Sequence, residues 1–302
     1  MRISARPQRL FKFWPLFAIL AGMLPASAVV HAQKPERLEI RIPDTANVQI
    51  LKTRDGSTLI GRVTKVATDT IHFQSNMGPL KVARANIAEL REVPASRIKN
   101  GKLWLEDPNA TRLFLAPTGR MLGKGEGYFS SHYLFFLGGA AGVTDNFTIG
   151  GGLSVFPADD FTDNILYLTP KVGIVSKDRI NVALGALIGF AGFDDGGSFG
   201  IGYGVATLGS RDHSLTGGVG LGYADADFAD DPMFMFGGQT RISRRAALVT
   251  ENYYVPSSDG PVVSYGVRFF GERMAVDLAF INVFSGDAIF PGIPYIDFTI
   301  HF

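Results

Sequence analysis

The feature that most constrains this chain is a period-two alternation of apolar and polar side chains, repeated in segments of about ten residues. In the last segment the apolar positions are Ile296, Phe298, Ile300 and Phe302, and the positions between them are Tyr295, Asp297, Thr299 and His301. Successive side chains of a strand point to opposite faces, so each segment would be apolar on one face and polar on the other. Ten-residue strands of this kind are typical of a transmembrane β-barrel.

Twelve strands are predicted, and they make the fold class an all-β, twelve-stranded antiparallel transmembrane β-barrel preceded by a small β-barrel domain. The predicted strands are 111–118, 127–138, 147–156, 165–175, 180–192, 198–209, 213–224, 232–242, 245–255, 262–270, 273–283 and 294–302. The first is the weakest, but without it the count would be odd, whereas bacterial single-chain barrels have an even number of strands. A secreted β-sandwich is the alternative, since its strands also alternate.

The lengths of the connections give an independent test of the barrel. From the third strand on, long and short connections alternate, and long external loops opposite short periplasmic turns are expected of outer-membrane barrels. The predicted loop 139–146 departs from this pattern because it is longer than the other connections on its side. The five long connections carry 11 Asp and no Lys or Arg. These acids are either solvated or available to divalent cations.

Residues 1–32 are predicted to be a secretory signal peptide. Arg2, Arg6, Arg9 and Lys12 precede an apolar run that ends at a small-x-small site, Val30-His31-Ala32. Removing the segment leaves 25 Lys and Arg against 28 Asp and Glu, a net charge of −3. Residues 33–110 carry a net charge of +4 and residues 111–302 one of −7, which indicates two regions with different surroundings.

A small β domain is predicted at residues 33–100, followed by a linker at 101–110 and the barrel at 111–302. Five short apolar runs lie between residues 47 and 93, with turn signals at Asp55-Gly56 and before Gly78. This stretch resembles an Sm-like or SH3-like barrel, a fold that often binds RNA. Because the chain is exported and its bases are dispersed, we expect no nucleic-acid partner. The bases form either a solvated face or a contact with an anionic envelope polymer or protein.

The C-terminal strand resembles that of bacterial outer-membrane barrels, which commonly end in Phe. The resemblance implies that Ile296, Phe298, Ile300 and Phe302 form the signal read by the barrel-assembly machinery. It also implies a barrel in the bacterial outer membrane, in contact with lipid and lipopolysaccharide. Because twelve strands put both ends of the barrel on the short-turn side, we expect the small domain in the periplasm, where an envelope partner could bind it. The segment 109–114, with Tyr128, Phe135, Phe136 and Gly142–Phe147, resembles uncharacterised envelope proteins of Bacteroidota-like bacteria, which implies no activity.

The polar faces of the strands supply the candidate site residues. The predicted lumen-lining side chains are Lys171, Gln239, Arg241, Glu251, Arg268, Asp277, Asp297 and His301. They are consistent with a paired network that closes the interior or with the lining of a small-solute channel. Many further inward positions are Gly, which would leave room inside or let strands bend.

No enzyme, cofactor or metal site is predicted. The chain has no Cys, which excludes disulfides, Cys-ligated zinc and thiol nucleophiles. Ser131 and His132 are adjacent and would point to opposite faces of a strand. No nucleophile elbow, zinc-protease motif or phosphate loop is present. Two functions remain: a passive channel for small solutes, or a structural or interaction barrel with a closed lumen.

Overall fold

The computed structural model describes residues 40–156, 163–192, 197–225, 227–256, 258, 260–284 and 290–302. The predicted signal peptide lies outside these residues. The chain divides into two compact units, Met1–Pro94 and Ala95–Phe302. Within the described ranges, no helix has the length and apolar character needed to cross a membrane.

The first unit contains a five-stranded antiparallel sheet. Its strands are β1 (Asn47–Thr53), β2 (Thr58–Val66), β3 (Thr70–Ser75), β4 (Gly78–Ala83) and β5 (Ile87–Pro94), in the order β4-β3-β2-β1-β5. Leu51, Val63, Ile71 and Phe73 lie in its core. Gly56 has a φ of +87° in the β1–β2 turn, a conformation that favours glycine. The five predicted strands are therefore present, whereas closure into an Sm-like or SH3-like barrel stays a prediction.

The second unit begins with a two-stranded ladder and continues with the strands of a large sheet. The ladder is β6 (Ile98–Lys99) and β7 (Lys102–Leu103). The sheet contains β8 (Gly127–His132), β9 (Phe136–Thr144), β10 (Phe147–Ser154), β11 (Ile165–Leu168), β12 (Lys171–Ser176), β13 (Ile180–Ala191), β14 (Ser198–Gly209), β15 (His213–Ala224), β16 (Asp227–Phe228), β17 (Met233–Ser243), β18 (Ala246–Tyr254), β19 (Val262–Phe270), β20 (Met274–Val283) and β21 (Ile293–His301).

This sheet closes on itself as a twelve-stranded antiparallel barrel. Each strand pairs with the next along the chain, and β21 pairs with β8 to complete the ring. β11 and β12 occupy one position, since both lie between β10 and β13 and are separated only by Thr169-Pro170. Pro170 has no N–H to donate to the ladder, which accounts for the break. The short β16 pairs only with the end of β15.

The predicted number of strands is confirmed, but the predicted first strand is wrong. Residues 111–118 form no strand and make only an isolated bridge between Arg112 and Pro117. The predicted strand 127–138 is instead two strands, and the predicted loop 139–146 lies mostly within β9. Tyr133 and Leu134 reverse the chain with φ values of 52° and 65°. Non-glycine residues seldom adopt this conformation, so the apolar sequence contained no turn signal.

The barrel wall shows the predicted alternation. On β21, Tyr295, Asp297 and Thr299 are buried, while Phe298 and Ile300 are exposed. Leu215 on β15 is 72% exposed. Exposed positions on the other strands are likewise apolar, and buried positions are mainly polar or small. The outer face of the barrel is therefore apolar and the inner face is polar.

Candidate functional site

The candidate site is the interior of the barrel, which is occupied by residues 107–122, here called the inner segment. Leu113, Phe114 and Ala116 of this segment are buried in a core cluster with wall residues. The wall residues of that cluster are Ala183, Val205, Met235, Val249, Ala279 and Tyr295. Since these come from six strands of the ring, the segment lies across the inside of the barrel.

Arg268 on β19 holds the start of the inner segment. Its Nε donates to Asp277 Oδ1 at 2.7 Å and its Nη2 to Asp277 Oδ2 at 2.8 Å. Its Nη1 donates to Asp107 Oδ2 at 3.1 Å and to Asn109 O at 2.9 Å. Its Nη2 also donates to Leu113 O. All atoms of this guanidinium group are buried, so one wall cation pairs with two carboxylates and fixes the backbone of the segment.

Arg112 makes the reciprocal contact, from the inner segment to the wall. Its guanidinium group donates to Asp297 and Thr299 on β21. It also donates to Asn109 Oδ1 at 3.0 Å and to Phe114 O at 2.9 Å, which orders the segment internally. Because Arg112 and Asp297 are both buried, each compensates the charge of the other.

Glu251 on β18 accepts three backbone hydrogen bonds from one turn of the inner segment. The N–H groups of Phe114, Leu115 and Ala116 donate to its Oε2 at 2.8, 3.0 and 2.9 Å. The hydroxyl of Tyr253 donates to its Oε1 at 2.7 Å. The carboxylate thus accepts hydrogen bonds from backbone N–H groups that are not paired with any strand. This explains why an acid lies on the inner face of the wall.

Lys171 on β12 binds the backbone of the inner segment. Its Nζ donates to Arg120 O at 2.7 Å and to Thr111 O and Thr118 O, both at 3.3 Å. Among the described residues it forms no ion pair with a carboxylate. Its charge is therefore solvated by carbonyl dipoles alone.

The remaining predicted site residues lie near the short-turn end. Gln239 donates to Arg211 O at 2.6 Å, and Arg241 donates to Asp212 Oδ1 at 2.8 Å. Trp104 donates from its indole N–H to the other oxygen of Asp212 at 3.2 Å, and its ring lies beneath the Arg241 guanidinium group. His301 is half-buried against the ring of Tyr128.

The eight predicted residues are thus brought to one interior, but most serve the inner segment. Lys171, Glu251, Arg268 and Asp297 contact it directly, and Asp277 acts through Arg268. Sequence reasoning missed the other half of this network, which consists of Asp107, Asn109, Arg112 and Arg120. The first three were assigned to the linker 101–110 or to the strand 111–118, and Arg120 lies just beyond that strand. The available signal was that Arg112 and Arg120 flank an apolar run too short to cross a membrane.

The predicted assembly residues occupy the outer face of the last strand. Phe298, Ile300 and Phe302 are exposed and Ile296 is half-buried. The aromatic ring of Phe302 lies 5.2 Å from that of Phe129, and the backbones of Phe302 and Gly127 exchange two hydrogen bonds. Reading of these residues by the assembly machinery stays a prediction.

The side chains of His132 and Ser130 lie on the same face of β8. Only Ser131, which points to the other face, was considered from the sequence. Ser130 Oγ lies 3.5 Å from His132 Nε2, at the limit of a hydrogen bond. The Nδ1 atom of His132 lies 2.8 Å from the Tyr295 hydroxyl, and Arg112 Nη1 lies within 3.3 Å of both ring nitrogens. The same Nδ1 atom lies 3.1 Å from Asp297 Oδ1, and the other oxygen of Asp297 accepts from Arg112, so His132 belongs to the buried Arg112–Asp297 cluster.

A cavity of about 670 Å³ lies between the inner segment and the wall, mostly in the half of the barrel next to the long connections. Tyr128, Tyr167, Phe199, Tyr203 and Tyr253 supply aromatic rings to its lining, and Leu115-Ala116-Pro117 of the inner segment forms another part. The described part of the lining includes Arg112, Lys171 and His132 but no Asp or Glu. No group of three or more metal-binding side chains occurs in the part of the chain described.

Comparison with known proteins finds no matching family model and no matching curated protein. Among solved structures, the NanC porin is 9% identical, with a TM-score of 0.36, over 58% of this chain and 97% of the porin. A loop L8 deletion mutant of OmpT, an outer membrane protein of Vibrio cholerae, is 12% identical, with a TM-score of 0.34, over 85% of this chain and 96% of the other. The fold is established by the strand pairing itself: an all-β chain with a closed, twelve-stranded antiparallel barrel.

Proposed function

We propose that the protein is a bacterial outer-membrane barrel whose interior is closed by its own inner segment, and that it serves as a structural or interaction barrel of the envelope. The observation that carries the proposal is the use of the buried wall charges. Arg268, Glu251 and Lys171 direct their hydrogen bonds to the inner segment rather than to an open lumen. In this proposal, the wall side chains hold the inner segment in place, and the segment closes the interior.

The outer face supports a membrane environment. Soluble monomers rarely expose apolar patches larger than a few hundred Å². Here exposed apolar side chains recur on strand after strand, among them Leu215, Phe236, Leu248 and Phe269. Most strands from β13 onward span 9 to 12 residues, which suits the apolar band of an outer-membrane barrel. Lipid and lipopolysaccharide are the partners that such a surface would contact.

The connections support an orientation. Gly127 and Phe302 lie at the end of the barrel that carries the short turns 177–179, 210–212, 244–245 and 271–273. Short turns face the periplasm in outer-membrane barrels. The chain before the inner segment, whose Trp104 contacts Asp212 at this end, would then emerge into the periplasm, where the Sm-like or SH3-like domain is available to an envelope partner. We also propose, from the resemblance of residues 109–114, that the protein is related to the uncharacterised envelope proteins of Bacteroidota-like bacteria.

A passive channel for small solutes is the second candidate function. The cavity of about 670 Å³ supports it, as do the inward glycines Gly218, Gly220 and Gly222 of β15 that line the cavity. The two candidates differ in whether the inner segment leaves a continuous path from one end of the barrel to the other.

Single-channel recording in planar bilayers separates them. The mature chain is first shown to be folded by heat-modifiable migration in gels. We expect no steady conductance from this material. A stable open pore from wild-type protein would reject the closed barrel in favour of the channel, and a chain that stays soluble without detergent would reject the membrane barrel altogether.

A further inference from the structure

The cavity inside the barrel has one polar corner, at the cross-strand pair Thr148 and Lys171. These residues are register partners on β10 and β12, so their side chains lie on the same face of the sheet. Both are more than nine-tenths buried and both line the cavity. The corner therefore combines a hydroxyl and an ammonium group at the edge of an apolar space.

Neither group is fully compensated. Thr148 Oγ1 is buried and has no hydrogen-bond partner among the described residues. Buried polar atoms are nearly always paired, and an exception calls for an explanation. Lys171 keeps a buried charge with no carboxylate partner within the described part of the chain. Two of its three contacts are 3.3 Å long, beyond the usual N–H···O range, so one hydrogen can turn to another acceptor.

The rest of the cavity lining is mainly apolar, so it favours a ligand whose non-carboxylate part is apolar. Aromatic rings of Tyr167, Phe199 and Tyr203 and the thioethers of Met233 and Met235 surround the space. A volume of about 670 Å³ falls within the usual range of small-molecule pockets. No acid is among the described residues that line the cavity. Because Arg112 is paired with Asp297, Lys171 supplies the positive charge without a carboxylate partner there, and this charge favours an anion.

We propose that this cavity binds a small carboxylic acid with an apolar, aromatic or aliphatic body. The carboxylate accepts hydrogen bonds from Thr148 and Lys171, which supplies the missing partner of the hydroxyl and neutralises the ammonium charge. The body packs against the aromatic rings. The site rests on the proposed barrel only in that it lies inside the closed wall.

The test is calorimetric titration of the folded full mature chain, in nanodiscs of zwitterionic lipid, with 3-phenylpropanoate, 3-phenylpropanol and 3-phenylpropylamine. We expect the carboxylate to bind, the alcohol to bind about tenfold more weakly and the amine not to bind. Empty nanodiscs give the background. Equal binding of acid and alcohol, or no binding of the acid, would overturn the proposal.

Three variants localise the site. Thr148→Val removes a hydroxyl that forms no hydrogen bond to any described residue, so it should leave folding intact and weaken binding of the acid. Thr240→Val, at an exposed strand position, is its matched control. Lys171→Met should abolish the preference for the acid over the alcohol. Gly222→Leu should block both ligands, since a Cβ there meets only Gly200 O, at 3.7 Å, and a longer side chain enters the cavity.

The result is separable from the proposed function. If wild-type protein conducts and still binds the acid selectively, the closed barrel fails and the ligand site stands. If it neither conducts nor binds the acid, the closed barrel stands and the ligand site fails. Unchanged affinity in folded Thr148→Val and Lys171→Met variants would reject the site even where binding occurs.

Discussion

Arg268 and Asp277 form a buried bidentate pair across β19 and β20, with both N–O distances below 2.9 Å. They are direct register partners on the inner face of the wall. A second carboxylate, from Asp107 of the inner segment, contacts the same guanidinium group. This pair therefore joins two wall strands and also holds the segment that fills the barrel.

Replacing Asp277 with Asn is expected to destabilise the barrel strongly. The change leaves part of a buried cation uncompensated, and breaking a buried ion pair typically costs about 3–5 kcal/mol. The temperature at which the folded gel form is lost should fall. Asp178→Asn, at an exposed turn position, is the control. An Asp277→Asn barrel as heat-resistant as wild type would show that Asp107 suffices.

Replacing Glu251 with Gln is expected to loosen the inner segment. The three N–H groups of Phe114, Leu115 and Ala116 would then meet a neutral acceptor instead of a carboxylate. Hydrogen bonds to charged groups are worth roughly 1.5–3 kcal/mol and neutral ones about 0.5–1.5 kcal/mol, so the segment should be held less tightly. Transient openings in bilayer recordings are the readout, and Asp230→Asn should remain silent. Recordings as quiet as wild type would mean that Arg268 and Lys171 hold the segment without Glu251.

Asp212 should make the short-turn end sensitive to acid. Burial raises the pKa of its carboxyl, but hydrogen bonds and charge from Arg241 and Lys99 outweigh this and hold the pKa below its ordinary value of 3.8. A lowered pKa in the folded protein contributes stability above the unfolded value and loses it as pH falls through the folded value. The stabilising contribution should thus be intact at neutral pH and disappear below about pH 3.8.

Trp104 reports on this change, because its indole N–H donates to Asp212. The only other tryptophan, Trp14, lies in the predicted signal peptide. Intrinsic fluorescence should therefore shift in acid in the mature protein. The shift should be absent in Asp212→Asn and retained in Asp178→Asn. A transition of the same size and midpoint in Asp212→Asn would assign it to another group.

Deleting Phe302 should reduce the amount of barrel in the outer membrane. The deletion removes the backbone hydrogen bonds with Gly127 and the ring contact with Phe129 at the seam, as well as the proposed assembly signal. Phe302→Tyr keeps the backbone and an aromatic ring and should restore seam closure. Phe290→Ala, an exposed position outside the strands, should have no effect. Normal outer-membrane levels of the deletion variant would contradict both roles.

Alternation along single strands made most of the fold predictable. In a ten-residue run such as Met274–Val283, the alternation alone shows which side chains face the interior and which face outward. This information is local to the strand. The turn at Tyr133 and Leu134 could not be predicted, because its positive φ values are imposed by packing and not by glycine or asparagine. The prediction failed there and at 111–118, yet one missed strand and one false strand left the total at twelve.

The inner segment was not predicted, for a related reason. Leu113-Phe114-Leu115 has the composition of a strand, and only distant partners show that it is not one. Its hydrogen bonds go to Glu251 and Arg268, more than 130 positions away. Strand alternation predicted the face of most wall charges, and the cost of placing a carboxylate against lipid predicted that of Glu251, but the partners of these charges depend on tertiary structure.

The position of the seam carries a last consequence. The ring closes where its first strand, β8, meets its last, β21. Without β21, β8 would keep an unpaired edge, and an unpaired edge is costly in the proposed lipid surroundings. Closure therefore depends on β21: the wall is sealed only when this strand has paired with β8. The inner segment precedes β8 in the chain, so pairing of β21 with β8 closes the wall around a segment that lies earlier in the sequence than every strand of the barrel.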